Sequence, residues 1–266
     1  MGGRAAHRTP KHRLIMPYQF AQERPDYSDL ASGRVFHSLS GNPTFPIRLA
    51  SEVLQRCLAI RTAGGHGGPV TLYDPCCGAA YHLSVLAYLH GESLQAIVAS
   101  DIDARAVEFA ARNLALLSVE GLDRRIAELA QMVQLYGKES HAVALASAHQ
   151  LRQRLVDLSA LRPIQVHVFQ ADALDRQALH TQLQDLQIDI VFTDVPYGRH
   201  AQWRGQLAHA RSPMWAMLDA LRDVLVPTSL VAIVSDKQQK AAHDGYRRVQ
   251  RFQIGKRQIV ILSPDV

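Results

Sequence analysis

One short segment combines an acidic side chain with a glycine turn in a way that suits a small ligand. It reads Asp74-Pro75-Cys76-Cys77-Gly78-Ala79-Ala80. The glycine lets a ligand approach the backbone, and a helical pattern that follows offers free N–H groups at its start. Such a turn suits a dinucleotide or S-adenosylmethionine. Because the Asp74 carboxylate would repel a pyrophosphate but attract an ammonium group, and the pattern G-x-G-x-x-G is absent, we predict S-adenosylmethionine.

Acidic residues also stand at the ends of the next two predicted strands. Asp101 ends the second strand, and Asp172 follows the third. A carboxylate at such a position can accept hydrogen bonds from ribose hydroxyls or from an adenine amino group. Taken singly, each aspartate is more often a turn or cap residue. Three of them in succession favour a nucleoside-containing cofactor, because parallel sheets bind ligands at the carboxyl ends of their strands.

A second segment with chemical potential ends the fourth predicted strand. It reads Thr193-Asp194-Val195-Pro196-Tyr197-Gly198. The Asp194 carboxylate and a neighbouring carbonyl can accept the two N–H bonds of a planar amine, while Tyr197 stacks on its ring. Holding the amine against an electrophilic methyl group is mainly a matter of positioning. The alternative interpretation is an ordinary proline turn that leaves a buried strand.

The elements that must position these residues alternate between strand and helix. This alternation predicts an α/β fold, a doubly wound and mostly parallel seven-stranded sheet. We place helices at 81–89 and 104–116, the second with Asp103 as its N-cap. The predicted strands are 70–73, 96–100, 164–169, 188–193, 230–234, 249–254 and 258–262, the last two forming a closing hairpin.

Two segments lie outside this alternation. Residues 1–25 are polar and basic, and we predict a disordered arm followed by a single domain over 26–266. Within that domain, residues 26–68 form an N-terminal extension with a helix that begins near Ile47. Residues 118–163 carry two helical patterns, 123–136 and 140–159, where a crossover needs one. Their charges nearly cancel, so we interpret this helical pair as a packing element.

The composition of the chain narrows the classes of protein to which it can belong. The absence of a long apolar run at residues 1–16 argues against a signal peptide or membrane span. Three cysteines cannot build a disulfide framework or a zinc site, so we predict no metal and a cytoplasmic location. The net charge is +5. Basic residues concentrate in the arm and in residues 237–257, which either contact phosphates or are simply solvated.

The quoted motifs resemble the class I methyltransferases, and more closely the AviRa family of avilamycin-resistance ribosomal RNA guanine methyltransferases. The similar segments run from about residue 28 to the final hairpin, and the N-terminal block and Trp203 are the most specific of them. They are Ser28-Asp29-Leu30-Ala31, Val35, His37-Ser38, Phe45-Pro46, Arg48-Leu49-Ala50, Asp74-Pro75-Cys76-Cys77-Gly78, Ala99-Ser100-Asp101, Asn113-Leu114-Ala115-Leu116-Leu117-Ser118, Asp194, Pro196-Tyr197-Gly198, Trp203 and Gly205-Gln206.

The resemblance implies methylation of a guanine in large-subunit ribosomal RNA, and with it resistance to orthosomycin antibiotics. The resemblance also implies three sets of site residues. The cofactor set is Asp74, Cys76, Gly78, Ala80, Asp101 and Asp172. The target base would face Asp194, Pro196 and Tyr197, and the RNA would lie near Arg34, Phe36, Arg48 and Trp203. We expect a monomer.

Two departures from the family pattern leave alternatives open. Ala80 stands where these families usually have glycine, and Val195 replaces the first proline of Asp-Pro-Pro-Tyr. A methyltransferase that acts on protein glutamine or DNA adenine uses a similar Asp/Asn-x-Pro-Tyr loop. A noncatalytic RNA-binding relative is the second alternative, which Ala80 favours. A nicotinamide-dependent oxidoreductase is disfavoured by Asp74.

Overall fold

The computed structural model describes residues 18–39, 44–159, 163–196, 203 and 212–265. Seven strands in these residues form one sheet of order β3-β2-β1-β4-β5-β7-β6. The first five in that order are parallel, while β7 is antiparallel to both β5 and β6. The predicted mostly parallel sheet is confirmed. The strands are β1 (Val70–Asp74), β2 (Leu94–Asp101), β3 (Gln165–Gln170), β4 (Ile188–Asp194), β5 (Leu225–Ser235), β6 (Tyr246–Ile254) and β7 (Arg257–Pro264).

Helices connect the parallel strands and include two that the sequence patterns did not predict. The helices are α1 (Ile47–Ala63), α2 (Tyr81–His90), α3 (Ala104–Ala115), α4 (Val119–Tyr136), α5 (Glu139–Ser159), α6 (Arg176–Leu183) and α7 (Pro213–Leu221). Asp103 caps α3 as predicted, since its side chain accepts a hydrogen bond from Arg105 N at 2.9 Å. The helices α6 and α7 escaped prediction because they are short. A cap signal was nevertheless present in α7, where Ser212 Oγ accepts from Trp215 N and Pro213 begins the helix.

The two faces of the sheet are covered by different helices. Neighbouring residues of β1 point to opposite faces, so Leu72 belongs to one buried cluster and Tyr73 to the other. The first cluster takes apolar residues from α1, α2 and α3, and the second takes them from α6 and α7. Burial on both faces explains why the central strands are nearly continuous apolar runs.

The helical insertion packs against the N-terminal extension rather than standing free. A third buried cluster joins Leu30 and Phe36 of the extension to α2 and to Leu122 and Leu151 of the inserted pair. Arg125 Nε donates to the Val35 carbonyl at 2.9 Å. The insertion therefore holds residues 28–37 on the domain, in line with its interpretation as a packing element.

Residues 18–25 contact the domain, although the sequence pattern predicts disorder for them. Residues 18–25 were placed in a disordered arm, but Glu52 of α1 accepts hydrogen bonds from the amides of residues 19–21 at 2.7 to 2.9 Å. Arg48 Nε also donates to the Ala21 carbonyl at 2.7 Å. These contacts tie the segment to α1. Residues 1–17, the rest of the predicted arm, lie outside the described residues.

Candidate active site

Acidic residues meet at the carboxyl edge of the sheet. Asp74 ends β1, Asp101 ends β2 and Asp194 ends β4, and these strands are parallel. Asp172 lies two residues beyond β3, which pairs with β2. Because the carboxyl ends of parallel strands share one edge, the structure brings all of these aspartates together, as predicted. We call Asp74, Gly78, Asp101 and Asp172 the cofactor half of this edge, and Asp194, Val195 and Pro196 the base half.

Asp74 is the most buried of these acids, with no exposed surface. Its Oδ1 accepts a hydrogen bond from Cys76 N at 3.0 Å, whereas its Oδ2 lies 3.3 Å from His82 Nε2 without a well-aligned hydrogen bond. Burial raises the pKa of Asp74 to about 8, and the nearby charges of Asp101 and Asp194 add to the shift. A buried carboxyl with an unsatisfied oxygen is suited to a cation, because an ammonium group would stabilise its ionised form.

The turn after β1 leaves room for a ligand beside this carboxyl. Gly78 has a φ of 53°, in the left-handed region, and donates its N–H to Asp101 Oδ2 at 2.8 Å. A Cβ at this position would meet nothing within 4 Å. Open space over a backbone turn, next to a buried carboxyl and at the start of α2, fits the methionine part of S-adenosylmethionine.

Ala80, which stands where the family usually has glycine, adopts a left-handed backbone conformation. Its φ of 51° is the only positive φ among the described residues other than glycine. Its side chain is fully buried in the first cluster, among apolar residues of α1 and α2. The methyl group therefore packs into the core, although the sequence analysis placed it beside the cofactor. Ala80 gives no support to the noncatalytic alternative.

The other carboxylates of the cofactor half are oriented by backbone amides. Asp101 accepts from Asp103 N at 3.0 Å through Oδ1, and burial raises its pKa. Asp172 is half-buried and accepts from Leu174 N at 2.9 Å. A carboxylate offers about four acceptor positions, so each retains capacity for a ribose hydroxyl or an amino group.

Cysteine chemistry does not compete with this arrangement. Burial raises the pKa of the Cys76 and Cys77 thiols well above the ordinary value, so neither carries the thiolate that a nucleophile needs. Both are free, as is Cys57. No group of three or more histidines, cysteines and acids in the described ranges is placed to hold a metal ion.

The base half is held by contacts from the neighbouring strand β5 and from the segment that follows it. Asp194 is half-buried, and Val195 N donates to the Val234 carbonyl at 3.1 Å. The Pro196 carbonyl accepts a hydrogen bond from Gln239 Nε2 at 3.0 Å. Tyr197, predicted to stack on the base, lies outside the described residues. The site assignment of Tyr197 therefore stays a prediction.

The four residues predicted to contact RNA differ in their surroundings. Phe36 is fully buried, with its ring 5.8 Å from that of Tyr81, so in this structure it has no surface to offer a base and instead anchors the extension. The Arg48 guanidinium lies 3.8 Å from the Tyr18 ring and is occupied within the chain. Arg34 and Trp203 are half-buried, and Trp203 packs on the second cluster.

Two further residues lie near the site, although no sequence motif places them there. His82 is buried between the rings of Phe45 and Phe192, with its Nε2 3.3 Å from Asp74 Oδ2. Burial lowers the pKa of His82 to about 4, so the ring is neutral. Gln239 approaches from the connection between β5 and β6. No local pattern distinguishes either residue, because both reach the site only through the tertiary fold.

Together the fold and the site define a class I methyltransferase architecture. The sheet order, the glycine turn after β1 and the acidic residues at successive strand ends all occur in the described residues. None of the helices in these ranges is long and apolar enough to cross a membrane.

Comparison with known proteins identifies the family. A family model described as rRNA methyltransferase AviRa matches residues 16–257. The chain is 42% identical over 245 residues to a 23S rRNA (guanine(2535)-N(1))-methyltransferase of Streptomyces viridochromogenes, covering 92% of this chain and 95% of that protein. Two solved structures of rRNA methyltransferase aviRa from the same organism, at 41% and 40% identity, each match with a TM-score of 0.79 over 92% of this chain and 95% or 96% of theirs. The chain therefore belongs to the AviRa family of rRNA methyltransferases.

Proposed function

We propose that this protein transfers the methyl group of S-adenosylmethionine to a guanine base of large-subunit ribosomal RNA. The observation that carries the proposal is the 42% identity, over 92% of the chain, to a relative whose name specifies N1 of a guanine in 23S rRNA. The acidic carboxyl edge supports it with residues suited to both the cofactor and a base.

The cofactor half of the edge holds the methyl donor, whose sulfonium centre supplies an electrophilic methyl group. The buried Asp74 carboxylate accepts hydrogen bonds from the ammonium group. Asp101 accepts from the ribose hydroxyls, and Asp172 accepts from the adenine amino group. The open space over Gly78 admits the methionine chain. Cys76 and Ala80 shape the turn without contributing a charge.

The base half positions the guanine. Guanine presents N1–H and the N2 amino group as donors, and a carboxylate and a backbone carbonyl can accept both. Asp194 would accept the proton that N1 loses on methylation, Pro196 would fix the direction of the loop, and Tyr197 would stack on the base. Water then takes the proton from Asp194.

The wider setting follows from the same proposal. The substrate is large-subunit ribosomal RNA, the protein acts as a cytoplasmic monomer, and methylation confers resistance to orthosomycin antibiotics of the avilamycin type. Arg34 and Trp203 contact the RNA, and the basic residues of 237–257 bind phosphates near the target. In this setting Phe36 and Arg48 act indirectly, by holding the extension.

The decisive experiment offers radiolabelled S-adenosylmethionine and unmodified large-subunit RNA, free and in subunits, to the purified protein. Label on a guanine, mapped by nuclease protection and mass spectrometry, supports the proposal. Label on a protein glutamine or a DNA adenine supplied in parallel would support the alternative enzymes instead. Absence of label on every substrate, with cofactor binding intact by calorimetry, would favour a noncatalytic relative.

A further inference from the structure

Gln239 connects the base half of the site to the segment that follows β5 and to β7. It lies in the segment between β5 and β6, and its Nε2 donates to the Pro196 carbonyl at 3.0 Å. Pro196 follows Asp194 by two positions, so this hydrogen bond acts where the chain leaves β4 toward the base-facing loop. A donor at this carbonyl limits how far the loop can shift.

The backbone of Gln239 is itself held from two directions. Its N–H donates to Asp236 Oδ1 at 3.1 Å, and its carbonyl accepts from Gln258 Nε2 at 3.5 Å. Gln258 in turn accepts a hydrogen bond from Arg251 through Oε1. A side chain mounted on a fixed backbone can position a neighbouring loop with little loss of conformational entropy on binding.

The oxygen of the Gln239 side-chain amide is less well satisfied than its nitrogen. Its Oε1 is buried and makes no hydrogen bond with any described residue. A buried acceptor without a partner lowers the stability of the folded protein. Rotating the amide would direct that oxygen at the Pro196 carbonyl, so the observed orientation is fixed by the single bond from Nε2. Residues that are locally unfavourable for stability occur preferentially at functional sites.

We propose that Gln239 is a positioning residue for methyl transfer, which holds the Asp194–Val195–Pro196 segment in line with the target base. The inference rests on the proposed function of that segment. It assigns to Gln239 an effect on turnover without a role in binding the cofactor.

The test uses two substitutions and a matched control for each. Gln239→Met removes both polar atoms at similar length, and Gln239→Glu keeps an acceptor but loses the donor to Pro196. Gln238→Met and Gln238→Glu make the same changes at an exposed neighbour. We expect kcat to fall about 10- to 100-fold in both Gln239 variants, as for other misplaced reacting groups. The Kd for S-adenosylmethionine should not change in the Gln239 variants. The Gln238 variants should keep both the wild-type kcat and the wild-type Kd.

Stability separates positioning from a general structural role. The Gln239→Met protein should unfold close to the wild-type temperature, because removal of the buried unsatisfied oxygen offsets the loss of the hydrogen bond to the Pro196 carbonyl. Hydrogen exchange at the Val195 amide should be faster, a readout that does not require turnover. A parallel fall in kcat and unfolding temperature, or an unchanged kcat in both variants, would overturn the inference. Absence of transfer by the wild type would instead remove the proposed function, while the exchange measurement would still test the contact.

Discussion

The cofactor half and the base half of the carboxyl edge differ in where their contacts originate along the chain. In the cofactor half, Asp74 and Asp172 accept from amides two residues away, and Asp101 accepts from Asp103 and from Gly78 on the neighbouring strand's turn. In the base half, the contacts to Val195 and Pro196 come from β5 and from the segment beyond it. The carboxylates of the first half accept mainly from nearby amides, whereas the backbone of the second half is held by residues of β5 and beyond.

This difference predicts which substitutions alter the affinity for the cofactor and which alter turnover. A change in the cofactor half should alter the affinity for S-adenosylmethionine, because its donors and acceptors are fixed before any RNA arrives. A change in the base half should alter turnover and leave that affinity intact, because its contacts only orient the target. Measuring the two quantities separately for each variant tests the division.

The largest expected effect belongs to the base half. Asp194→Ala should lower kcat by about 10²- to 10⁴-fold, since it removes the acceptor for the N1 proton. Calorimetry should show an unchanged Kd for S-adenosylmethionine. Asp194→Asn keeps an acceptor oxygen without the charge and should retain an intermediate rate. Normal turnover by the alanine variant would remove Asp194 from the reaction.

The matching change in the cofactor half is Asp101→Ala. Loss of a charge-assisted hydrogen bond to the ribose, with the loss of support for Gly78, should raise the Kd for S-adenosylmethionine about 10- to 100-fold. At saturating cofactor the kcat should be nearly restored. Glu108→Ala removes the same charge from an exposed position on α3 and serves as the control. An unchanged Kd in the Asp101 variant would exclude its assigned role.

How much could be predicted from sequence follows the same division. The turn at 74–80 is contiguous, and the strands around it are long apolar runs, so the fold was predicted correctly, while the roles assigned to the cofactor half stay predictions. Phe36 was assigned to RNA contact only through the family resemblance. Its burial arises from contacts with α2 and the insertion, which no local pattern encodes. The same reason hid His82 and Gln239.

A smaller effect should appear in the pH dependence of cofactor binding. The pKa of Asp74 is raised to about 8, so the carboxyl is mainly protonated at pH 6 and must lose its proton to pair with an ammonium group. Binding that releases a proton strengthens as pH rises, by up to about tenfold per pH unit below that pKa. Calorimetry between pH 6 and about pH 7.5, below the range where the cofactor's own amine titrates, measures the slope. Asp74→Asn should bind weakly and without this slope; a wild-type Kd independent of pH would contradict the assignment.

The smallest effect is expected at Ala80. Ala80→Gly would relieve a left-handed conformation that costs an L-residue about 1–2 kcal/mol. It would also delete a buried methyl group, which stabilises the fold by about 0.8 kcal/mol. The glycine would raise the conformational entropy of the unfolded chain, which destabilises the fold by a similar amount. These terms nearly cancel, so the free energy of unfolding should change by less than about 1 kcal/mol.

The comparison with Gly78 decides what this small effect means. Because the Ala80 methyl group packs in the core, Ala80→Gly should leave the Kd for S-adenosylmethionine unchanged. Gly78→Ala adds a methyl group where the structure has open space, and it should weaken cofactor binding without any core contact being lost. If Ala80→Gly instead strengthened cofactor binding tenfold or more, the methyl group of Ala80 in the wild type would have to face the ligand. Ala80 would then belong to the cofactor half and not to the core.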